Sequence, residues 1–262
     1  MKNFIFFVLL IVGSLHGFSQ DLALYEKKWM VQNGDTLPYR VLLPQDYNPA
    51  KKYPVIFFLH GAGERGSDNE KQLTHGWKFF LRDTIRSAYP AIVVFPQCAT
   101  RDYWANVVRT HDEQKKRTFH FLEAGPSGRA MEMLIELVDY VLLEYPVKTD
   151  QVYVGGLSMG GMGAFELVRR KPGVFAAAFP ICGGANPATA KGMAKTRWWI
   201  FHGAKDDVVP YKHSVIMFEA LKAKGAKVKF TLFPNANHNA WDPTFAEPEL
   251  LPWLFSNKQK VK

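Results

Sequence analysis

Short apolar runs alternate along this chain with longer stretches whose apolar positions recur at helical spacing. Pro54 to Leu59 is apolar throughout, which marks a strand covered on both faces. Further strand-like runs fall at 91–95, Val152 to Val154, 175–181, Trp198 to Phe201 and Val228 to Phe233. Helical stretches are expected near 69–87, from Ser127 to about Tyr145, from Gly160 to Arg170, near 211–224 and near 248–256. Strands alternating with helices imply an α/β architecture: a mostly parallel sheet with helices on both faces. Earlier in the chain, Asn33-Gly34 separates Trp29-Met30-Val31 from Tyr39-Arg40-Val41-Leu42 and reads as the turn of an antiparallel hairpin. The longest stretch without a regular pattern is Gln97 to Pro126.

Chemistry enters at Gly156-Leu157-Ser158-Met159-Gly160. Such a pentapeptide recurs by chance, but here a buried strand precedes it and a helix rich in small residues follows. That context makes it a nucleophile elbow, a tight turn that presents the serine hydroxyl. An elbow calls for an acid and then a histidine further along the chain. Each has a candidate just after a strand. The run ending at Phe201 leads into His202-Gly203-Ala204-Lys205-Asp206-Asp207, which offers two acids. The run ending at Phe233 leads into Asn235-Ala236-Asn237-His238. His238 is thus the expected general base for Ser158. The oxyanion hole is expected from the Met159 amide and one amide of His60-Gly61-Ala62-Gly63, with Ala62 favoured over Gly63. A phosphate-cradling role for that loop lacks the Lys-Ser/Thr ending of a P-loop.

The segments LHGAGERG, GLSMGG, HGAKDDVVP and NHNAWD resemble the signature blocks of secreted carboxylesterases of the α/β-hydrolase superfamily. The nearest group is the "predicted peptidase", or phospholipase/carboxylesterase-like, set, with feruloyl-esterase-type enzymes as relatives. The resemblance runs from about Pro38 to Phe255. It implies an α/β-hydrolase fold with an eight-stranded sheet whose second strand is antiparallel. It also implies that the acid is Asp206, fourth after the histidine of the His-Gly pair. Between Ser158 and Asp206 there is room for a strand, a loop and the acid strand, so no large cap domain is expected. An open site suits a small or polymer-attached ester, of acetyl or feruloyl type. Trp104, in the 97–126 stretch, and Trp241, just past His238, are the candidate substrate-binding aromatics, although such rings can equally cap the core.

Lys2, the apolar stretch Phe4 to Val12 and the small residues ending at Ser19 form a signal-peptide pattern. The apolar stretch is well short of the about 20 residues that span a bilayer. The expectation is an exported enzyme, periplasmic or extracellular, with residues 1–19 removed, 20–262 forming one domain and no integral membrane anchor. The net charge of +9 is spread over Lys115-Lys116-Arg117, the lysines between 222 and 229 and the C-terminal lysines. It fits a solvated basic face, or loose attraction to an acidic polysaccharide; no motif supports nucleic-acid binding. In the strand order that the resemblance implies, two strands lie between those that Cys98 and Cys182 follow, too far for a disulfide. The remaining histidines show no ligand spacing, so neither metal nor cofactor is implied. The leading expectation is an ester hydrolase working through an acyl-enzyme. A serine peptidase of the same fold is the alternative, and a non-catalytic binding protein on this scaffold stands behind both.

Overall fold

The computed structural model describes residues 22–259; the signal-peptide pattern lies outside them. Among the described residues there are ten strands: β1 (Tyr25–Gln32), β2 (Asp35–Leu42), β3 (Tyr53–Leu59), β4 (Ile92–Pro96), β5 (Val107–His111), β6 (Arg117–Phe121), β7 (Val147–Leu157), β8 (Ala177–Ile181), β9 (Arg197–Gly203) and β10 (Val228–Phe233). The helices are α1 (Trp77–Leu81), α2 (Asp83–Ala88), α3 (Arg129–Glu144), α4 (Met159–Arg170), α5 (Ala190–Met193), α6 (Lys212–Ala223), α7 (Trp241–Phe245) and α8 (Leu250–Ser256). Eight strands form one sheet in the order β1-β2-β4-β3-β7-β8-β9-β10. Strand β2 runs antiparallel to β1 and β4, and all other neighbours are parallel. This is the α/β-hydrolase arrangement that the resemblance implies.

The alternation along β3 shows why its sequence is apolar at every position. Val55, Phe57 and Leu59 belong to one core, and Ile56 and Phe58 to the other. The first core is roofed by α3, α4 and α6. Helix α3 contributes Leu134, Leu137, Val138 and Val141, a three- and four-residue spacing that sets one stripe against the sheet. The opposite core is roofed by Phe79 and Phe80 of α1 and by Leu250, Leu251 and Leu254 of α8.

Several elements differ from the sequence pattern. The helix expected near 69–87 is split into a 3-10 turn (Lys71–Leu73), α1 and α2, because the backbone is left-handed at Gly76 (φ 86°) and extended at Arg82 (ψ 129°). The stretch 97–126, read as irregular, contains the antiparallel pair β5 and β6, which forms a sheet of its own. Its strands are short and rich in basic residues, which masks their alternation. Between β8 and β9 lie only a 3-10 turn (Pro187–Thr189) and α5. Cys98 and Cys182 are unpaired and buried, with β3 and β7 between their strands.

The elbow depends on bare backbone. A methyl group on Gly160 would be driven into the Leu59 carbonyl at the end of β3, a rigid obstacle that only displacement of α4 can relieve. Gly160→Ala should therefore lower the unfolding temperature by an amount equivalent to about 1–3 kcal/mol or more. Gly192→Ala in α5, where nothing lies within 4 Å of the added atom, should be neutral or slightly stabilising. Equal melting temperatures for the two variants would show that the close approach is not a constraint.

Candidate active site

Ser158 occupies the turn between β7 and α4 with φ 55° and ψ −117°. A positive φ at a non-glycine residue costs on the order of 1–3 kcal/mol and persists only where the surroundings enforce it. Here the Ser158 amide donates to Ile181 O at 2.8 Å, and its carbonyl accepts from the Met162 amide at 3.0 Å. The side chain is thereby aimed at His238, whose Nε2 lies 2.9 Å from Ser158 Oγ. His238 Nδ1 lies 2.8 Å from Asp206 Oδ2. A carboxylate only accepts, so Nδ1 carries the proton and the lone pair of Nε2 faces the serine hydroxyl, the tautomer a base requires.

The loops that bring these groups together are tied to one another. Asn237 Oδ1 accepts from its neighbour's His238 amide at 2.7 Å and from the Asp207 amide at 3.1 Å. Across the same junction the Ala204 amide donates to Phe233 O and the Lys205 amide to Ala236 O. Asp206 leaves β9 with its side chain fully buried. Its Oδ1 accepts from the amides of Val208 at 2.9 Å and Val209 at 2.8 Å. Burial alone would raise its pKa, but hydrogen bonds from His202, His238 and the Val209 amide outweigh that and hold the carboxyl well below the usual range. Asp207 is exposed and does not cap α6, which begins without a side-chain cap.

On the other side of Ser158, Met159 is the first residue of α4 and Ala62 the first of a 3-10 turn (Ala62–Glu64). First-turn amides have no intrahelical acceptor and remain open to an anion. The loop lies close: a Cβ on Gly61 would stand 3.6 Å from Ser158 Cβ. Two side chains fix it. Buried His60 has Nδ1 2.6 Å from Gly61 O, and its Nε2 accepts from the Cys98 amide at 2.9 Å. Burial pushes its pKa down to about 4, so the ring stays neutral with the proton on Nδ1. Arg65 Nε donates to Ala62 O at 2.9 Å, and Nη1 to Asp102 O at 3.2 Å.

These strands, turns and loops fall within residues 47–247, which match the sequence profile described as phospholipase/carboxylesterase. The chain belongs to that family. A thermostable esterase of known structure is 29% identical with a TM-score of 0.80, the alignment covering 92% of this chain and 64% of that one. A bifunctional acetylxylan esterase/xylanase of Neocallimastix patriciarum is 25% identical over 63% of this chain. A probable dipeptidyl-peptidase 5 of Aspergillus niger is 23% identical over 82% of it. The chain spans 21% of the first of these two relatives and 32% of the second.

The two aromatic candidates separate in this phospholipase/carboxylesterase family member. Trp241 stays beside His238, its ring centroid 5.7 Å from that of His238 and 4.9 Å from that of His75. Trp104 does not line the site. It is fully buried within the first core, packed edge-on to His60 at 5.5 Å and against Gly163 of α4, so its expected substrate contact is corrected to a core role.

Sequence reasoning passed over His202, four residues before Asp206. Its Nε2 lies 3.1 Å from Asp206 Oδ2 and 2.9 Å from Val209 O, and its Nδ1 lies 2.7 Å from Ser214 Oγ. Both neighbours of Nε2 are acceptors, so that nitrogen carries a proton and braces the same carboxylate oxygen that His238 Nδ1 meets. The signal was present in the His-Gly pair of the acid block. Cys182, His202 and Asp206 place ligand-type atoms within 4.8 Å of one another, but the protonated Nε2 has no lone pair for an ion, and the cluster is accounted for by hydrogen bonds to the acid.

The low pKa of Asp206 has a consequence for stability. An unfolded aspartate titrates near about 3.9, above the folded value, so the stabilisation is complete above roughly pH 5 and is lost as pH falls below it. Urea midpoints of the wild type should decline between about pH 5 and pH 3, and Asp206→Asn should show a shallower decline. Parallel slopes would contradict this account of the acid.

Proposed function

We propose that the protein is an exported serine hydrolase that cleaves carboxylic esters through an acyl-enzyme. The observation that carries this reading is the unbroken chain from Ser158 Oγ through His238 to Asp206, with contacts of 2.9 and 2.8 Å. Ser158 Oγ attacks the ester carbonyl carbon while its proton passes to His238 Nε2. The amides of Met159 and Ala62 receive the oxyanion, with Gly63 the other candidate in that loop. Collapse of the tetrahedral intermediate breaks the bond to the alcohol, which leaves with the proton from Nε2. Water then repeats the sequence on the acyl-serine, returning the proton to Ser158. Asp206 keeps the imidazole in its working tautomer and stabilises the imidazolium. Trp241 borders the entrance to the base and is assigned to substrate contact.

The similarity to an acetylxylan esterase supports a carbohydrate-linked ester of acetyl type, with feruloyl esters the other class that the sequence blocks suggest, and the short connection between β8 and β9 leaves the serine without a large cap. The similarity to a dipeptidyl-peptidase favours a second reading, peptide cleavage by the same triad. Export rests on the N-terminal pattern; among the described residues no helix is long and apolar enough to cross a membrane.

Ser158→Ala and His238→Ala should each lower kcat by roughly 10⁴–10⁶-fold, since triad members act as a unit. Asp206→Asn should cost roughly 10³–10⁴-fold, and exposed Asp207→Asn less than about tenfold. The assay is initial rates on short p-nitrophenyl esters, acetylated sugars, feruloyl esters and dipeptide anilides, with fluorophosphonate labelling of Ser158. Turnover surviving in Ser158→Ala would remove the mechanism, and turnover confined to the anilides would establish the peptidase reading instead.

A further inference from the structure

The hairpin of β5 and β6 stands over one side of the elbow. Its root is fixed: Asn186 Nδ2 donates to Phe121 O at 3.0 Å, and just past β6 Arg169 and Arg170 of α4 donate to the carbonyls of Glu123 and Gly125. Phe119 and Phe121 pack against His213 and Met162 beneath it. In the pairing register the face bearing those two rings also carries Arg109, opposite Phe119, and His111, opposite Arg117. The apolar half of this face is thus seated on the molecule, and its basic half projects beyond it.

That basic half faces the oxyanion loop across an open groove of about 570 Å³, whose walls include Ala62, Arg65, Tyr103, Arg109, His111 and Arg117. The Arg109 guanidinium stacks over the Tyr103 ring at 4.2 Å, which holds its plane and leaves its N–H edges outward. Among the described residues no carboxylate lies within ion-pair distance of Arg65, Arg109 or Arg117. Of the acids close to them in sequence, three are engaged elsewhere, and Glu113, at the exposed turn of the hairpin, forms an ion pair with none of these arginines. Asp102 accepts from the amides of Tyr103 and Ala130, Asp112 from that of Lys116, and Glu64 lies nearest His75. Three guanidinium groups without counter-charges, converging on a groove that ends at the oxyanion loop, are arranged to receive an anion.

We infer that this groove is a subsite for a carboxylate on the alcohol portion of the substrate, so that the preferred esters are those of acidic carbohydrates bearing a uronate unit. The inference rests on the ester-hydrolase reading and names its substrate class. With the ester carbonyl held at Ser158 and Ala62, the uronate carboxylate would lie against Arg109 and Arg117, with Arg65 at the inner end. Arg65 also braces the oxyanion loop, so it is not a suitable test position. Arg109 and Arg117 are exposed on the hairpin, and their replacement should leave the fold intact, as circular dichroism melting would verify.

The experiment compares kcat/KM for monoacetylated methyl glucuronoside and the matched monoacetylated methyl glucoside within each protein. The wild type should favour the glucuronoside by about tenfold or more at low ionic strength, and the preference should shrink in high salt. In the Arg109→Ala/Arg117→Ala double variant the ratio should fall toward one; in the corresponding double lysine variant it should be partly retained. Equal turnover of the two sugars by the wild type would overturn the subsite while leaving the ester hydrolase standing. If neither sugar is turned over, binding of an oligoglucuronate to Ser158→Ala, measured by calorimetry, decides. Binding that is lost with the two arginines supports the subsite even as the hydrolase reading falls, and absence of binding overturns the subsite.

Discussion

Everything in the site hangs on one close approach, that of the first turn of α4 to the carbonyl ends of β3 and β8. No side chain fits between them at Gly160 and Gly161. Because the helix start is pressed onto the sheet, Ser158 is forced into a positive φ and its hydroxyl is lifted clear of both elements. The same compression leaves the Met159 amide at the helix start without an internal acceptor, next to the loop that carries Ala62. Position of the Ser158 hydroxyl and polarity of its surroundings thus have a single origin in backbone packing.

The acid side of the site is governed by charge instead. Asp206 is buried, and an isolated buried carboxylate would be protonated or would destabilise the fold. Donors from His202, His238 and the amides of Val208 and Val209 surround it. The orientation of His238 is therefore fixed at two removes, through a carboxylate that is itself fixed. His60 plays a comparable part on the opposite side, where a neutral ring ties the end of β3 to the start of the loop after β4.

Much of this was legible in the chain. The unbroken apolar runs announced buried strands, and the elbow pentapeptide, the His-Gly acid block and the late histidine lay in the required order. Asn33-Gly34 adopts positive φ at both positions, as the hairpin reading requires. What escaped were features that depend on distant neighbours. Trp104 looked like a loop aromatic, yet packing on Gly163 and His60 draws it into the core. The split of the helix near 69–87 follows from turns in the backbone at Gly76 and Arg82, which the apolar positions around them do not encode. His202 stood in the His-Gly pair of the acid block, but its bracing role depends on partners from two segments, the loop after β9 and the start of α6. The β5–β6 pair was hidden because its exposed strand edges are dressed in charge.

That hairpin belongs to a separate small sheet and shares no strand with the large one. Its attachment is a patch of aromatic contact and a few hydrogen bonds to α4 and the loop after β8. On the proposed reading, the residues that cut the bond and those that choose the molecule are built on different frameworks. A lengthened, shortened or recoloured hairpin alters what is recognised without disturbing the register of the main sheet or the elbow. The molecule is in this sense a fixed engine with an exchangeable faceplate, open to diversification at one insertion point.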